Sequence, residues 1–253
     1  MALDNGVVIV DGLTYSYPGN IRALDEISFN IGPGQKAGLI GPNGAGKSTI
    51  FLCLLGLVHD FTGSVEVAGI EVNGDNLTEL RRRTGLVFQD PEDQLFNPTI
   101  IEDVAFGPLN LGWKQEEAVE TAKSSLAKVG FPEGLSDRAP QNLSAGQKRR
   151  AAIAGILAMQ PEVVLLDEPT SDLDPRGRNR LSDLLKSLPQ TMIIASHDLE
   201  FVLRTCEVAV LIDDGKVIVQ GDPKEVMSDR ELMEAHGLEK PHSLMPHNDR
   251  HHG

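Results

Sequence analysis

The segment GPNGAGKST, residues 41–49, constrains the fold of this chain more than any other part of its sequence. It matches the pattern G-x-x-x-x-G-K-[ST] and lies between an apolar run and a segment of helical length, which is the context that the motif requires. Glycines allow successive backbone N–H groups to turn toward one anion, and the following helix adds its positive N-terminal end. The pattern therefore predicts a loop that binds the phosphates of a nucleotide.

Two side chains of this loop are expected to contact the ligand directly. Lys47 is predicted to reach the β and γ phosphates, and the hydroxyl of Ser48 is predicted to ligate Mg²⁺. The nucleotide-binding residues predicted from the loop are Gly41, Pro42, Asn43, Gly44, Ala45, Gly46, Lys47, Ser48 and Thr49.

Apolar runs on either side of the loop predict an α/β fold. Residues 7–40 contain three short strand-like runs separated by Pro-Gly turns, and residues 63–72 and 84–90 are also strand-like. After residue 160, strand-like and helix-like segments alternate, which favours parallel βαβ units. A hairpin closed by Asp214-Gly215 follows.

A change of pattern between residues 97 and 160 indicates an insertion. Two amphipathic helices are predicted there, at 116–130 and 144–160, and we interpret the stretch as a helical subdomain inserted into the α/β core. We predict a single domain over residues 1–236. Residues 237–253 contain histidines and prolines and are predicted to form a flexible tail.

A pair of carboxylates follows the apolar run VVLL. Asp167 is predicted at the carboxyl end of a buried strand, where a carboxylate is costly unless it faces a cation, and Mg²⁺ is the obvious partner. Glu168 follows it, at a position where it could orient or deprotonate a water that attacks the γ phosphate. The alternative is that the pair begins an exposed loop before Pro169.

Composition excludes several classes of protein. The 253 residues, 40% of them hydrophobic, can bury one large core. No run approaches the roughly 18 to 20 apolar residues that cross a bilayer, and the first residues lack the features of a signal peptide, so a cytoplasmic location is expected. A net charge of −14 argues against binding to nucleic acid. The two cysteines, Cys53 and Cys206, are predicted to be buried hydrophobes.

Further short motifs occur in a fixed order along the chain. They are Gln89 at the end of LVFQ, LSAGQ at 143–147, SDLD at 171–174, and Ser196-His197 after the next strand. Together with the phosphate loop and Asp167-Glu168, they resemble the ATP-binding cassette (ABC) ATPase family, from residue 7 to about residue 223. The resemblance implies a RecA-like P-loop NTPase: a mostly parallel sheet core, an N-terminal antiparallel β subdomain and an inserted helical subdomain.

The resemblance implies ligands on LSAGQ and SDLD for a nucleotide held by a second subunit. Ser144 and Gly146 would contact its γ phosphate, and Gln147 and Asp174 are assigned to the nucleotide site with them. A helix that begins after Ser144 would present free N–H groups to an anion, which agrees with this role. Ala145 replaces the usual glycine of the family motif, and the change is expected to be tolerated if its φ is negative.

Three further residues receive roles from the resemblance. His197 would be the switch histidine that hydrogen-bonds the γ phosphate, and Gln89 would touch the metal or the attacking water. Tyr17 would stack on adenine, with Tyr15 as a neighbouring candidate, and either tyrosine could instead pack on a strand.

The run QDPEDQLF, residues 89–96, gives a narrower resemblance. It is similar to the acidic segment of ATPases from energy-coupling-factor importers, which take up vitamins and transition metal ions, and the helical and strand motifs look most like the cobalt or nickel members. The tail histidines could bind such a metal, or they could belong to a flexible end or a purification remnant.

These implications describe a peripheral subunit at the cytoplasmic face of the cell membrane that binds ATP and Mg²⁺ and hydrolyses ATP. Its partners would be a second ATPase subunit, with a homodimer sufficient, and transmembrane coupling and substrate-binding subunits. Two rivals remain: a non-transport ABC ATPase acting on DNA or ribosomes, and a module that holds ATP without turnover. The acidic composition disfavours the first, and the intact set of catalytic residues opposes the second.

Overall fold

The computed structural model describes residues 7–245 of the chain. Its strands are β1 (Val8–Tyr17), β2 (Ile21–Ile31), β3 (Lys36–Ile40), β4 (Thr62–Val67), β5 (Ile70–Glu71), β6 (Thr84–Val87), β7 (Val163–Asp167), β8 (Thr191–Ala195), β9 (Val208–Asp213) and β10 (Lys216–Gly221). Its α-helices are α1 (Lys47–Leu54), α2 (Leu77–Arg83), α3 (Ile100–Asn110), α4 (Gln115–Lys128), α5 (Ala145–Ala158), α6 (Pro175–Ser187), α7 (Leu199–Thr205), α8 (Pro223–Ser228) and α9 (Arg230–Ala235).

Six strands form the central sheet, in the order β10-β9-β3-β8-β7-β6. All neighbours in it are parallel except β9 and β10, which form the predicted antiparallel hairpin. Strands β3, β7 and β8 are buried along almost their whole length, because both faces of the sheet are covered and their residues are mainly apolar. The carboxyl ends of β3 and β7 therefore lie on the same edge of the sheet, with β8 between them.

The first core lies between one face of this sheet and a smaller antiparallel sheet of order β2-β1-β4-β5. Helix α1 packs in this core, with the side chains of Ile50, Cys53 and Leu54 fully buried. The strand-like run at 63–72 is divided into β4 and β5 by Ala68 and Gly69, whose φ angles of 53° and 74° reverse the chain. The predicted antiparallel β subdomain is thus confirmed.

The second core covers the opposite face and includes the inserted helices α3, α4 and α5. The inserted helical subdomain is confirmed, but it contains α3, which the pattern did not predict. A capping box between Thr99 and Glu102 begins α3, and the helix continues through Pro108 to Asn110. The prolines at 98 and 108 concealed this helix, because proline inside a helix normally interrupts it.

A buried lysine joins two loops at the amino-terminal edge of the central sheet. Lys36 begins β3 and is 4% exposed, and its Nζ donates to the carbonyls of Gly34, Leu188 and Gln190 at 2.8, 2.7 and 3.0 Å. Burial lowers the pKa of this ammonium, while Glu207 opposes the shift. The three carbonyls satisfy a cation that would otherwise be costly to bury.

The C-terminal segment differs in part from the predicted flexible tail. Residues 237–245 pack on the domain: Leu238 donates its N–H to the Met233 carbonyl at 2.9 Å, and the N–H and hydroxyl of Ser243 donate to Glu200 at 2.9 and 2.6 Å. The predicted tail residues 246–253, with three of its four histidines, lie outside the described residues.

The two cysteines are buried, as the sequence predicts. Cys53 belongs to the first core and Cys206, just after α7, to the second. Burial raises the pKa of the Cys53 thiol to about 12 and also raises that of Cys206. Among residues 7–245, no helix combines the length and the apolar character needed to span a bilayer.

Candidate functional site

The loop of residues 41–49 connects β3 to α1 at the carboxyl edge of the sheet. A side chain at Gly41, where φ is 151°, would bring a Cβ within 2.0 Å of the Ile212 carbonyl oxygen. Gly46, with φ of 106°, caps α1 and packs against Leu24. The hairpin between β9 and β10 holds the loop from outside, since Gly215 donates its N–H to the Ala45 carbonyl at 3.1 Å. The loop is thus fixed in a shape that only glycine permits at these points.

The Lys47 ammonium lies over the loop, where it donates to the carbonyls of Gly41 and Pro42 at 2.6 and 2.9 Å. Partial burial lowers its pKa, and the nearby carboxylates of Glu168 and Asp167 act in the opposite direction. The arrangement keeps a cation beside the free N–H groups of the α1 N-terminus, where an anion would be stabilised.

A pocket of about 400 Å³ contains the loop and the predicted residues from other parts of the chain. Besides loop residues 43–49 it is lined by Tyr17, Gln89, Asp167 and Glu168. Burial and the neighbouring Glu168 raise the pKa of Asp167, and Lys47 opposes this shift. The pocket therefore combines hydrogen-bond donors for phosphate with an under-solvated carboxylate.

Glu168 has an unusual backbone and a dense set of partners. Its φ is 42°, in the left-handed region that non-glycine residues rarely occupy, and this is typical of functional sites. Its carboxylate accepts from the His197 N–H at 3.1 and 3.2 Å and from the Ser196 hydroxyl at 3.3 Å, and lies 2.8 Å from His197 Nδ1. His197 itself is 72% exposed, so its ring stands beside the pocket and not inside it.

The structure distinguishes between the two tyrosines. Tyr15 is a core residue with 8% exposure, whereas Tyr17 lines the pocket and its hydroxyl is 3.2 Å from that of Thr49. Their rings contact edge to face at 5.0 Å. The pattern missed Ile21, Arg22 and Ala23, which also line the pocket; the Pro18-Gly19 turn was the available signal that β2 returns past the loop.

The residues of LSAGQ and SDLD lie apart from this pocket. Ser144, Gly146 and Asp174 line a second pocket of about 630 Å³, between the N-termini of α5 and α6. The Ser144 side chain caps α5 in a capping box with Gln147, whose Oε1 accepts from the Ser144 N–H at 2.8 Å. Asp174 caps α6 by accepting from the Gly177 N–H at 2.6 Å. Gln147 and Asp174, which the sequence assigned to the ligand, thus have structural partners within the chain.

Ala145 and Gly146 occupy the first turn of α5. Neither has a positive φ, so the condition for tolerating Ala145 is met. At Gly146 an added Cβ would meet only the Leu173 Cδ2 atom, at 4.0 Å. The fold of this chain does not require glycine there.

The donors around the first pocket fit a magnesium ion. Ser48, Gln89 and Asp167 provide hydroxyl, amide and carboxylate oxygens, and Mg²⁺ commonly binds through one or two carboxylates together with phosphate oxygens. Over residues 7–245 there is no cluster of three or more His, Cys, Asp and Glu residues that could hold a metal ion. Oxygens of a nucleotide would therefore have to complete the coordination.

Comparison with known proteins gives consistent matches. Residues 24–171 match the ABC transporter family. The energy-coupling factor transporter ATP-binding protein EcfA of Methanocaldococcus jannaschii is 45% identical over 240 residues, covering 93% of this chain and 86% of that protein.

Two solved structures have the same fold. The cbiO1 protein of Clostridium perfringens, part of the ABC transporter complex cbiONQ, is 36% identical, with a TM-score of 0.81 and coverage of 92% of this chain and 94% of that chain. A dimeric ATP-binding cassette in a post-hydrolysis state, bound to ADP and Pi, is 29% identical, with a TM-score of 0.73 and coverage of 85% and 98%.

Proposed function

This chain belongs to the ABC transporter family, and we propose that it energises an energy-coupling-factor-like importer as one half of an ATP-bound dimer. It is an ATPase of the transporter type, with the P-loop NTPase fold of that family. The finer statements below, on the roles of single residues, on the partners and on the solute, are parts of the same proposal.

The separation of the two pockets is the observation that carries this proposal. Lys47 and Asp167 line one pocket and Ser144 and Gly146 line the other, so within one chain the two sets of residues do not face the same pocket. Two chains in antiparallel contact would complete two equal sites, each with the phosphate loop of one chain and the α5 N-terminus of the other. The likeness to a cassette solved as a dimer supports this arrangement.

In each site the chain's own residues would bind and orient ATP. The phosphate loop and Lys47 would hold the β and γ phosphates, Tyr17 would pack against adenine, and Ser48, Gln89 and Asp167 would hold Mg²⁺. When bound, the ion would neutralise the developing charge on the phosphates. Burial raises the pKa of Asp167 and so disfavours its ionised form, a cost that a bound cation would offset.

Glu168 would orient the attacking water or accept its proton. Its carboxylate is fixed by the N–H of His197 and the hydroxyl of Ser196, so the side chain loses little conformational entropy when a water binds to it. The ring of His197 is exposed and only 2.8 Å from this carboxylate, so it can turn to donate a hydrogen bond to the γ phosphate. Loss of that phosphate after hydrolysis would remove ligands shared by both chains and reopen the dimer.

Membrane partners would dock beside the loop that follows β6. Three large aromatic side chains are exposed near it, Phe88, Phe96 and Phe106, and the last two contact edge to face at 5.0 Å. Asp93 and Glu92 add exposed negative charge, although Glu92 also pairs with Lys148 of α5. An apolar and acidic surface of this kind suits a helix with arginines from a transmembrane subunit. This contact would locate the chain at the cytoplasmic face of the cell membrane.

The solute is proposed to be a transition metal ion such as cobalt or nickel. The segment 89–96 and the likeness to the cbiO1 protein support this choice, and a vitamin is the alternative within the same type of importer. The choice can be tested by purifying the complex from membranes, reconstituting it in vesicles and comparing ATP-dependent uptake of cobalt, nickel and vitamins. Uptake of vitamins alone would contradict the metal.

The composite site can be tested with two damaged chains. Lys47→Ala removes phosphate binding, and Ser144→Arg places a bulky group where the γ phosphate of the partner would lie. Each variant alone has two damaged sites. In a mixed dimer both lesions fall into one site and the other is intact, so ATP-dependent dimerisation should return on mixing. If the mixture forms no ATP-dependent dimer where the wild type does, the role of Ser144 across the interface is wrong.

A further inference from the structure

Arg149 is a buried arginine that the proposed chemistry does not use. It lies in α5, five residues after Ser144, and only 2% of its surface is exposed. Its guanidinium donates from Nη1 to the Phe88 carbonyl at 2.7 Å and from Nη2 to the Gln89 carbonyl at 2.6 Å. One side chain thus holds two successive backbone carbonyls about 60 residues away in the sequence.

Two weaker contacts join the same loop to the same helix. Lys148 forms a partly exposed ion pair with Glu92, and Gln94 donates from Nε2 to the Ala152 carbonyl at 2.9 Å. The loop of residues 88–94 is therefore attached to α5 at three points, and the Arg149 contact is the one made by an almost fully buried side chain.

The chemistry of this contact requires arginine. A guanidinium is planar and presents two parallel donors, whereas an ammonium acts as a single point charge and cannot span both carbonyls equally well. Burial lowers the pKa of Arg149, and the carboxylates of Asp172 and Asp90 oppose the shift. Burying a guanidinium costs free energy, and an apolar residue of similar volume would fill the same space without that cost. Packing alone therefore does not explain an arginine at this position.

The two ends of this connection face different nucleotides in the proposed dimer. The Gln89 side chain lines the chain's own phosphate pocket, and Ser144, at the start of the helix that carries Arg149, lines the other pocket. We propose that Arg149 is a positioning residue that makes Gln89 and Ser144 move as one unit. Engagement of Ser144 by the second subunit's nucleotide would then bring Gln89 into its working position. This inference rests on the proposed function of the chain.

A double-mutant cycle on ATP hydrolysis tests the inference in the assembled complex. The four proteins are wild type, Gln89→Ala, Arg149→Met and the double variant. If Arg149 acts through Gln89, Arg149→Met should lower kcat by about tenfold or more, while the Kd of the isolated chain for ATP stays within about twofold. The double variant should have the kcat of Gln89→Ala alone, within about twofold.

Several outcomes overturn the inference. One is a double variant whose loss is the product of the two single losses, because Arg149 then acts independently of Gln89. A second is a normal kcat for Arg149→Met, because the contact would then not affect hydrolysis. A third is a normal kcat for Gln89→Ala, because Arg149 could then not act through Gln89. A wild-type complex that hydrolyses no ATP refutes the proposed function itself, so the two failures are distinguishable.

Two further variants control for damage to the fold. Lys148→Gln, at the adjacent position, removes only the partly exposed ion pair with Glu92 and should keep kcat within about threefold. Arg149→Lys keeps the charge and one donor, and should recover part of the kcat lost in Arg149→Met. If Arg149→Met does not fold, the same cycle is measured with Arg149→Lys. A double variant whose loss in kcat is the product of the two single losses would again overturn the inference.

Discussion

Replacing Gly146 with alanine should make the single chain more stable and its ATP-bound dimer weaker. Gly146 is in the first turn of α5, its φ is not positive, and the nearest atom to an added Cβ is 4.0 Å away. Alanine is favoured over glycine in a helix by about 0.5–1 kcal/mol. For a domain of this size, the gain corresponds to a rise in Tm of about 1–4 °C.

The loss in function has a different origin. If the γ phosphate of a second chain approaches the N–H groups at this helix end, the new methyl group occupies the space that the anion needs. Loss of one hydrogen bond to a charged group costs about 1.5–3 kcal/mol, and each ~1.4 kcal/mol corresponds to about tenfold in affinity. We therefore expect ATP-dependent dimerisation, measured by light scattering with a hydrolysis-deficient background, to weaken by about tenfold or more.

A matched control lies in the same helix. The Cβ of Gly155→Ala would be 3.9 Å from the backbone of Asp103 and Val104, which is ordinary contact, and the position lies toward the C-terminal end of α5, away from Ser144. It should raise Tm by a similar amount and leave dimerisation unchanged. The reasoning is refuted if Gly146→Ala dimerises like wild type, or if it lowers the Tm of the single chain.

Three other variants give independent checks. Glu168→Gln should keep ATP binding and lower turnover by roughly 10² to 10⁴, so that ATP-bound dimers accumulate; normal turnover in a phosphate-release assay would exclude Glu168 as the base. Burial raises the pKa of Asp167 above its unfolded value of about 3.9, so the ionised carboxylate destabilises the nucleotide-free chain at neutral pH, and this effect fades as pH falls from the raised pKa toward about 3.9. Asp167→Asn should therefore raise the nucleotide-free Tm at neutral pH, less so near pH 4, and abolish the extra stabilisation that Mg²⁺ adds to ATP; an equal gain at both pH values would contradict this cause. Lys36→Met, which leaves three carbonyls without their donor, should lower the free energy of unfolding by about 2–4 kcal/mol in urea titrations, whereas Lys216→Met, at an exposed ion pair, should cost less than about 1 kcal/mol.

Much of the fold could be predicted because its strands are apolar and its turns are marked by glycine and proline. Errors occurred where local signals conflicted with the tertiary structure. Helix α3 was missed because Pro98 and Pro108 indicate a break, yet the capping box at Thr99 and the packing against α4 and α5 stabilise it. Residues 237–245 look like a polar tail, but the contact between Ser243 and Glu200 requires knowledge of α7, more than forty residues earlier.

The candidate site likewise contains residues whose position could be predicted and residues whose contacts could not. Lys47, Asp167 and Glu168 carry motifs whose spacing is set by chemistry, so their meeting in one pocket could be predicted from the sequence. The ligand roles of Gln147 and Asp174 stay predictions, and each residue also has a capping role that the motif alone does not reveal. The role of Arg149 could not be predicted, because its partners are backbone carbonyls, which every residue has and which no sequence pattern marks.

The positions of the two cysteines allow the unfolding of this protein to be followed one half at a time. Cys53 and Cys206 lie in cores on opposite faces of the central sheet, and both thiols are protonated and shielded while their core is intact. A pulse of a thiol-reactive reagent in urea, followed by mass spectrometry of peptides, would measure the labelling rate of each cysteine and so the rate at which each core opens. Equal labelling rates would indicate a single cooperative unit, and a faster rate at one cysteine would identify the face of the sheet that opens first.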